Sequence, residues 1–174
     1  MRPPFPPPTE AEIAVVSAQL GRPARGVLGI AARCICGNPT VVATAPRLPD
    51  GTPFPTLYYL THPAATADVS RLEAAGEMPR LAAELEDPEV AAAYRAAHES
   101  YLADRDGIEH VEEIDGFSAG GMPDRVKCLH ALVGHALAAG PGVNPVGDRA
   151  LELASWSPDR CECAEPGAAV ATPA

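Results

Sequence analysis

The chain has 174 residues, five cysteines and a formal net charge of -10. This length is sufficient to bury one hydrophobic core, so we expect a single domain. The acidic balance argues against nucleic-acid binding, which depends on Lys and Arg side chains that neutralise phosphates. No stretch approaches the roughly 20 apolar residues of a membrane-spanning helix, and the start MRPPFPPP lacks the apolar run of a secretory signal. We therefore predict a cytoplasmic protein that binds neither nucleic acid nor membrane.

The first part of the chain predicts one helix and three strands. Residues 1–8 are dominated by proline and are predicted to form a disordered tail. Thr9 and Glu12 match a capping box and Gly21 supplies a stop signal, which together indicate a helix. Short apolar and β-branched runs between Gly- and Pro-rich turns then predict strands near residues 27–33, 40–45 and 56–61.

The rest of the chain is alanine-rich with charges at helical intervals and is predicted to be helical. The predicted helical segments are residues 68–75, 79–85, 87–104, one beginning at Met122 or Pro123 and ending at Gly140, and 145–156. The fold class is therefore α+β, a small antiparallel three-stranded sheet packed against about five helices. We expect a single domain over residues 9–160 and a flexible tail over residues 161–174.

Paired cysteines are the first candidate for chemistry. Residues i and i+2 on a strand point to the same face, so a C-x-C pair can chelate one soft metal ion. Zinc is the default ion, and its four-ligand shell would be filled by two C-x-C pairs, or by one pair with Cys128 and a histidine. The alternatives are buried apolar cysteines and a redox-active or catalytic thiol. The candidate metal ligands are Cys34, Cys36, Cys128, Cys161, Cys163, His62 and His130.

His62 and His130 differ in how well their sequence positions suit a metal ligand. His62 follows the end of a predicted strand, where side chains are often presented to a pocket. On a regular helix Cys128 and His130 would lie about 200° apart, so both could not face one ion. A histidine packed and hydrogen-bonded in the core is the simpler interpretation of His130 and of His135.

The segment SAGGMPDRVKCLH is the second candidate, because two glycines lead into the predicted helix start. Free backbone N–H groups and the positive end of the helix dipole suit an anion there. The predicted anion-binding residues are Gly120, Gly121, Arg125 and Lys127. Asp124 favours the alternative, an ordinary helix entry. The common sequence patterns of hydrolases, zinc proteases and dinucleotide-binding enzymes are absent, so whether the protein is an enzyme stays open.

Four segments, RCICGNP, PRLPDGTPFPTLYYLTHP, AHESYLADRD and SAGGMPDRVKCLHALVGHALAAGPGVNPVGD, together resemble the uncharacterised actinobacterial family known as domain of unknown function 501. The resemblance covers roughly residues 10 to 155. It implies a cytosolic location and no particular activity. Genes of this family often lie near those for a septum-formation initiator and an exopolyphosphatase, which implies a phosphate-related or a division-related role. The resemblance marks as signature positions Gly120, Gly121, Arg125, Lys127, Cys128 and His130. Cys161 and Cys163 lie at or beyond the edge of the resemblance.

Three hypotheses follow from these patterns. The first is a metal-binding, non-enzymatic or regulatory module that uses the thiols. The second is an enzyme or sensor for a small phosphorylated or carboxylated ligand, and the third is a protein-interaction partner in cell division. The first two share one spatial expectation, that the turn at residues 118–130 faces a pocket near Cys34, Cys36 and His62.

Overall fold

The computed structural model describes residues 1–169 and has an α+β architecture. Within these residues it contains one three-stranded antiparallel sheet and six α-helices. The elements are α1 (Glu10–Leu20), β1 (Val27–Arg33), β2 (Pro39–Thr44), β3 (Tyr58–Leu60), α2 (Pro63–Ala74), α3 (Glu77–Ala83), α4 (Pro88–Asp106), α5 (Leu129–Ala139) and α6 (Pro145–Leu153). Over the described residues, no helix combines the length and the apolar character that crossing a membrane requires.

The predicted fold class is confirmed, with one α-helix more than the expected number of about five. The two short segments between the sheet and α4, predicted as helices over residues 68–75 and 79–85, are the helices α2 and α3. Gly76, with φ of +83°, separates them. Glycine adopts this left-handed conformation without steric cost, so it divides what would otherwise be one helix.

The three strands lie close to their predicted positions and are ordered β1-β2-β3. In the register Ile30 pairs with Val42, and Val42 pairs with Tyr59. Helix α5 covers one face of this sheet at close range. A Cβ on Gly134 would lie 2.9 Å from the Tyr58 carbonyl oxygen, so only glycine permits this approach. The main core lies between the sheet and helices α2 to α6.

Helix α1 begins as predicted, whereas α5 does not. Thr9 and Glu12 form the reciprocal capping box, and Gly21 closes α1 in the left-handed region. The helix predicted from Met122 or Pro123 is wrong over its first turns, because α5 starts at Leu129. The residues before it fold into turns, in which the Lys127 N–H donates to the Gly120 carbonyl oxygen at 2.8 Å.

Both ends of the described chain contact the domain. In the proline-rich segment 1–8, the Arg2 guanidinium pairs with Asp104 at 2.8 Å. In the segment after residue 160, the described residues 161–169 pack beside the turn that joins β1 and β2. Residues 170–174 of the predicted tail lie outside the described residues.

Candidate metal centre

Four cysteines from two distant parts of the chain converge at one end of the sheet. Their Sγ atoms all lie within 4.8 Å of one another. The sulfurs of Cys36 and Cys163 are 3.6 Å apart, although the two residues are 127 positions apart in the sequence. The members of this group, which we call the four-cysteine group, are Cys34, Cys36, Cys161 and Cys163.

The first pair of thiols is positioned by the turn between β1 and β2. The Cys34 N–H donates to the Asn38 carbonyl oxygen at 2.9 Å, and the Gly37 N–H donates to the Cys34 carbonyl oxygen at 2.8 Å. Gly37 has φ of +90°, which this tight turn requires. The expectation that a C-x-C pair presents both thiols on one face of a strand is wrong for this pair, because β1 ends at Arg33. The two thiols converge because the chain reverses direction around them.

The second pair is positioned by the side chain of Asn38, which sequence reasoning missed. Its amide NH₂ donates to the Glu165 carbonyl oxygen at 2.8 Å, and its amide oxygen accepts from the Ala169 N–H at 2.9 Å. Asn38 is 2% exposed, so these two bonds are made away from water. A buried side chain of the turn therefore fixes the backbone that carries Cys161 and Cys163.

His62 lies against the four-cysteine group and is fully buried. Its Nδ1 accepts from the Ala65 N–H at the start of α2, at 3.4 Å. Its Nε2 lies 3.2 Å from the Cys163 sulfur. Burial lowers the pKa of His62, so the ring is neutral at pH 7. Because Nδ1 accepts from the Ala65 N–H, the one ring proton lies on Nε2. The structure thus places His62 as a hydrogen-bond donor to Cys163, beside the four sulfurs.

The thiols of this group differ in their acidity. Burial raises the pKa of Cys34 and of Cys163. For Cys36 burial acts in the same direction, but the Asn38 and Gly167 backbone N–H groups and the neighbouring thiols outweigh it and lower the pKa to about 6. One member of the group is therefore ready to be a thiolate at neutral pH, and thiolates are the form in which cysteine binds metal.

Cys128 and His130 lie in a different group. Their side chains and the carboxylate of Glu73 have one potential ligand atom each within 4.8 Å of the others. The expected single site, with Cys128 beside Cys34 and Cys36, is therefore replaced by two groups. The expectation that Cys128 and His130 face apart is also wrong. Cys128 is the residue that precedes the first turn of α5, with extended φ and ψ of -154° and 107°, so regular helical geometry does not separate the pair.

The glycine-led segment does not form the helix N-terminus that was predicted for an anion. Gly120 and Gly121 have φ of +73° and +96° and lie in turns, eight or more residues before α5 begins. At the true start of α5 the Leu129 N–H donates to the Glu73 carboxylate at 2.7 Å. The chain itself supplies the negative charge that the helix end favours. Arg125 and Lys127 are exposed residues of the preceding turn.

Most of the chain matches one known protein family. Residues 30–152, more than two thirds of the sequence, match the family model described as "Protein of unknown function (DUF501)". The chain belongs to the DUF501 family. No curated protein and no solved structure matches it. The matched region includes Cys34, Cys36, Cys128 and His130, whereas Cys161 and Cys163 lie beyond it. The four-cysteine group thus joins two cysteines of the DUF501 region to two outside it.

Proposed function

We propose that this DUF501 protein is a zinc-binding module, with no catalysis at its four-cysteine group, in which one Zn²⁺ fastens the segment 161–169 to the sheet. The observation that carries the proposal is the convergence of four sulfurs from two C-x-C pairs within 4.8 Å. Nothing in chain connectivity brings these pairs together, because 124 residues lie between Cys36 and Cys161. Four thiols at one point, two of them from each side, are typical of a structural zinc site.

The spacing of the sulfurs supports zinc as the ion. A tetrahedral zinc with Zn–S bonds of about 2.3 Å separates its sulfurs by about 3.8 Å. The Cys36 and Cys163 sulfurs are 3.6 Å apart, far beyond the roughly 2.05 Å of a disulfide. Thiolate ligands also select soft ions such as zinc over magnesium or calcium.

The surroundings of the group favour ionised sulfur. Backbone N–H groups of Asn38 and Gly167 stabilise charge on Cys36, and the Nε2–H of His62 points at Cys163. Hydrogen bonds of this kind orient metal ligands and tune their basicity. Four thiolates beside one another repel strongly, and a divalent cation between them relieves that repulsion.

A closed four-sulfur shell leaves no coordination position for a substrate, so the role at this site is structural or regulatory. Metal binding supplies folding free energy to the parts of the chain that it joins. Without the ion, the two bonds of Asn38 and the contacts around Cys163 are the main attachments of residues 161–169. The attachment of this segment should therefore respond to zinc supply or to thiol oxidation.

The test is metal content combined with amide hydrogen exchange on protein purified without chelator. We expect at least one equivalent of zinc in the unmodified chain. Cys161→Ser and Cys163→Ser should each lose one equivalent of zinc, and amides of residues 161–169 should exchange faster in both variants. The matched control is Cys128→Ala, which removes the one thiol outside the four-cysteine group and should leave these amides protected.

A zinc content below about a tenth of an equivalent in the unmodified chain, with the four thiols free or paired in disulfides, would exclude the proposal. Intact mass before and after thiol alkylation distinguishes these two states. A metal content that Cys161→Ser leaves unchanged would also exclude it.

A further inference from the structure

The group formed by Glu73, Cys128 and His130 lies outside the four-cysteine group and has its own geometry. Glu73 comes from the last turn of α2, whereas Cys128 and His130 flank the first residue of α5. The side chains of His130 and Glu73 are 26% and 24% exposed, so the group is accessible from solvent without lying loosely on the surface. Each residue offers one ligand atom within 4.8 Å of the others.

The orientation of His130 is fixed by α2. Its Nε2 lies 3.2 Å from the carbonyl oxygen of Thr66 and 3.1 Å from the hydroxyl of Ser70. A carbonyl oxygen can only accept, so Nε2 carries a proton. A neutral ring then has its lone pair on Nδ1. That nitrogen faces Glu73, with Oε1 at 3.3 Å.

This arrangement leaves a lone pair opposite a carboxylate. Two acceptors at this distance repel each other unless a proton or a metal cation lies between them. The Cys128 side chain and Glu73 raise the pKa of His130 to about 9, although partial burial lowers it, so a metal ion would have to displace a proton from Nδ1.

We propose that Glu73, Cys128 and His130 form a second metal site, a three-ligand site for Zn²⁺ whose fourth position is open to water or to a small anion. Sulfur, imidazole and carboxylate are all ligands that zinc accepts, and three protein ligands with one open position characterise catalytic zinc. The bond from Nε2 to Thr66 supplies the backbone contact that usually orients a metal-bound histidine. Water bound at such an ion is acidic enough to act as a nucleophile near neutral pH, which makes this the place where hydrolytic chemistry could occur.

Metal counting on single variants tests this site separately from the four-cysteine group. The unmodified chain, loaded with zinc and freed of excess, should hold two equivalents. Cys128→Ala and Cys161→Ser should each hold one, and the double variant none. Glu73→Gln keeps an oxygen that can accept from the Leu129 N–H but removes the charged ligand, so we expect at least tenfold weaker binding of one equivalent only. Circular dichroism verifies that each variant is folded.

The contradicting results are distinct from those for the four-cysteine group. If the unmodified chain holds one equivalent and neither Cys128→Ala nor Glu73→Gln changes its amount or affinity, the second site does not exist. If Cys128 in that one-equivalent protein also reacts rapidly with iodoacetamide, and His130→Gln slows the reaction, the group is a thiolate and imidazolium pair and the proposal is overturned. If zinc is lost in Cys161→Ser and in no other variant, the four-cysteine group is the sole metal site. That result overturns the second site and supports the first.

Discussion

The Nε2 of His62 lies 3.2 Å from the sulfur of Cys163, and its Nδ1 is held by the Ala65 N–H. The second contact determines the first, because a nitrogen that accepts from Ala65 cannot carry the proton of a neutral ring. The start of α2 therefore directs an N–H donor at one sulfur of the four-cysteine group. In the proposed zinc site, His62 would therefore support the ligand Cys163 through this N–H.

Replacing His62 by Phe should weaken zinc binding at the four-cysteine group. The ring volume is retained while the N–H donor to Cys163 is lost. Outer partners of this kind change metal affinity by about 10- to 100-fold, and we expect a loss of that size in competition with a chromophoric chelator. The control is His98→Phe, since His98 bonds to the Ser118 hydroxyl and not to a thiol. Equal affinities for the two variants would contradict the assigned role of His62.

Replacing Asn38 by Ala should detach the segment 161–169 from the turn. Two buried hydrogen bonds are lost, worth about 1 kcal/mol each. We expect faster limited proteolysis after residue 160 and a free energy of unfolding lower by about 2 kcal/mol. The exposed Asp159→Asn serves as control. Unchanged proteolysis in Asn38→Ala would show that Asn38 does not hold the segment.

His135 should make the stability of the protein depend on pH. It is fully buried, it stacks on Tyr58 at 5.6 Å between ring centres, and its Nε2 has no hydrogen-bond partner among the described residues. Burial lowers its pKa from 6.5 to about 4. Between these values the unfolded chain binds a proton that the folded chain does not, so stability falls as the pH falls from 6.5 and levels off below about 4.

The whole effect amounts to about 3 kcal/mol, since each pKa unit corresponds to about 1.4 kcal/mol. Urea unfolding at several pH values should show that His135→Gln loses this part of the slope. The exposed His110→Gln should keep the slope of the unmodified chain. Identical slopes for the unmodified chain and His135→Gln would show that His135 is not held neutral.

Replacing Gly147 by Ala should destabilise the contact between α5 and α6. An added Cβ would lie 2.3 Å from the Leu132 carbonyl oxygen and 2.8 Å from the Ala136 Cβ, so the helices must move apart. We expect a loss of about 2 kcal/mol, the usual cost of overpacking a core. Thermal unfolding measures it, with the exposed Ser155→Ala as control. If Gly147→Ala leaves the stability unchanged, the two helices are not as close as described.

The local parts of the fold could be predicted from the sequence, because their signals lie within a few residues. The capping box at Thr9 and Glu12 and the turn signals between strands are of this kind. The start of α5 could not be predicted, because it is fixed by distant groups. Glu73 caps Leu129 from 56 residues away, and the Tyr94 hydroxyl holds the preceding turn through the Arg125 carbonyl oxygen.

The candidate site shows the same division. The repeated C-x-C spacing identified all four members of the four-cysteine group and pointed to zinc. It could not separate Cys128 from them, since only the three-dimensional fold places Cys128 beside Glu73. Asn38 and Glu73 carry no motif of their own, and their roles depend on which backbone groups the fold brings within reach.

X-ray absorption at the zinc edge of Cys128→Ala protein tests the central claim most directly, because this variant keeps the four-cysteine group and removes the fifth thiol. The account predicts a single shell of four sulfurs at about 2.3 Å from zinc. A shell that contains nitrogen or oxygen ligands, or protein that holds no zinc at all, would contradict it.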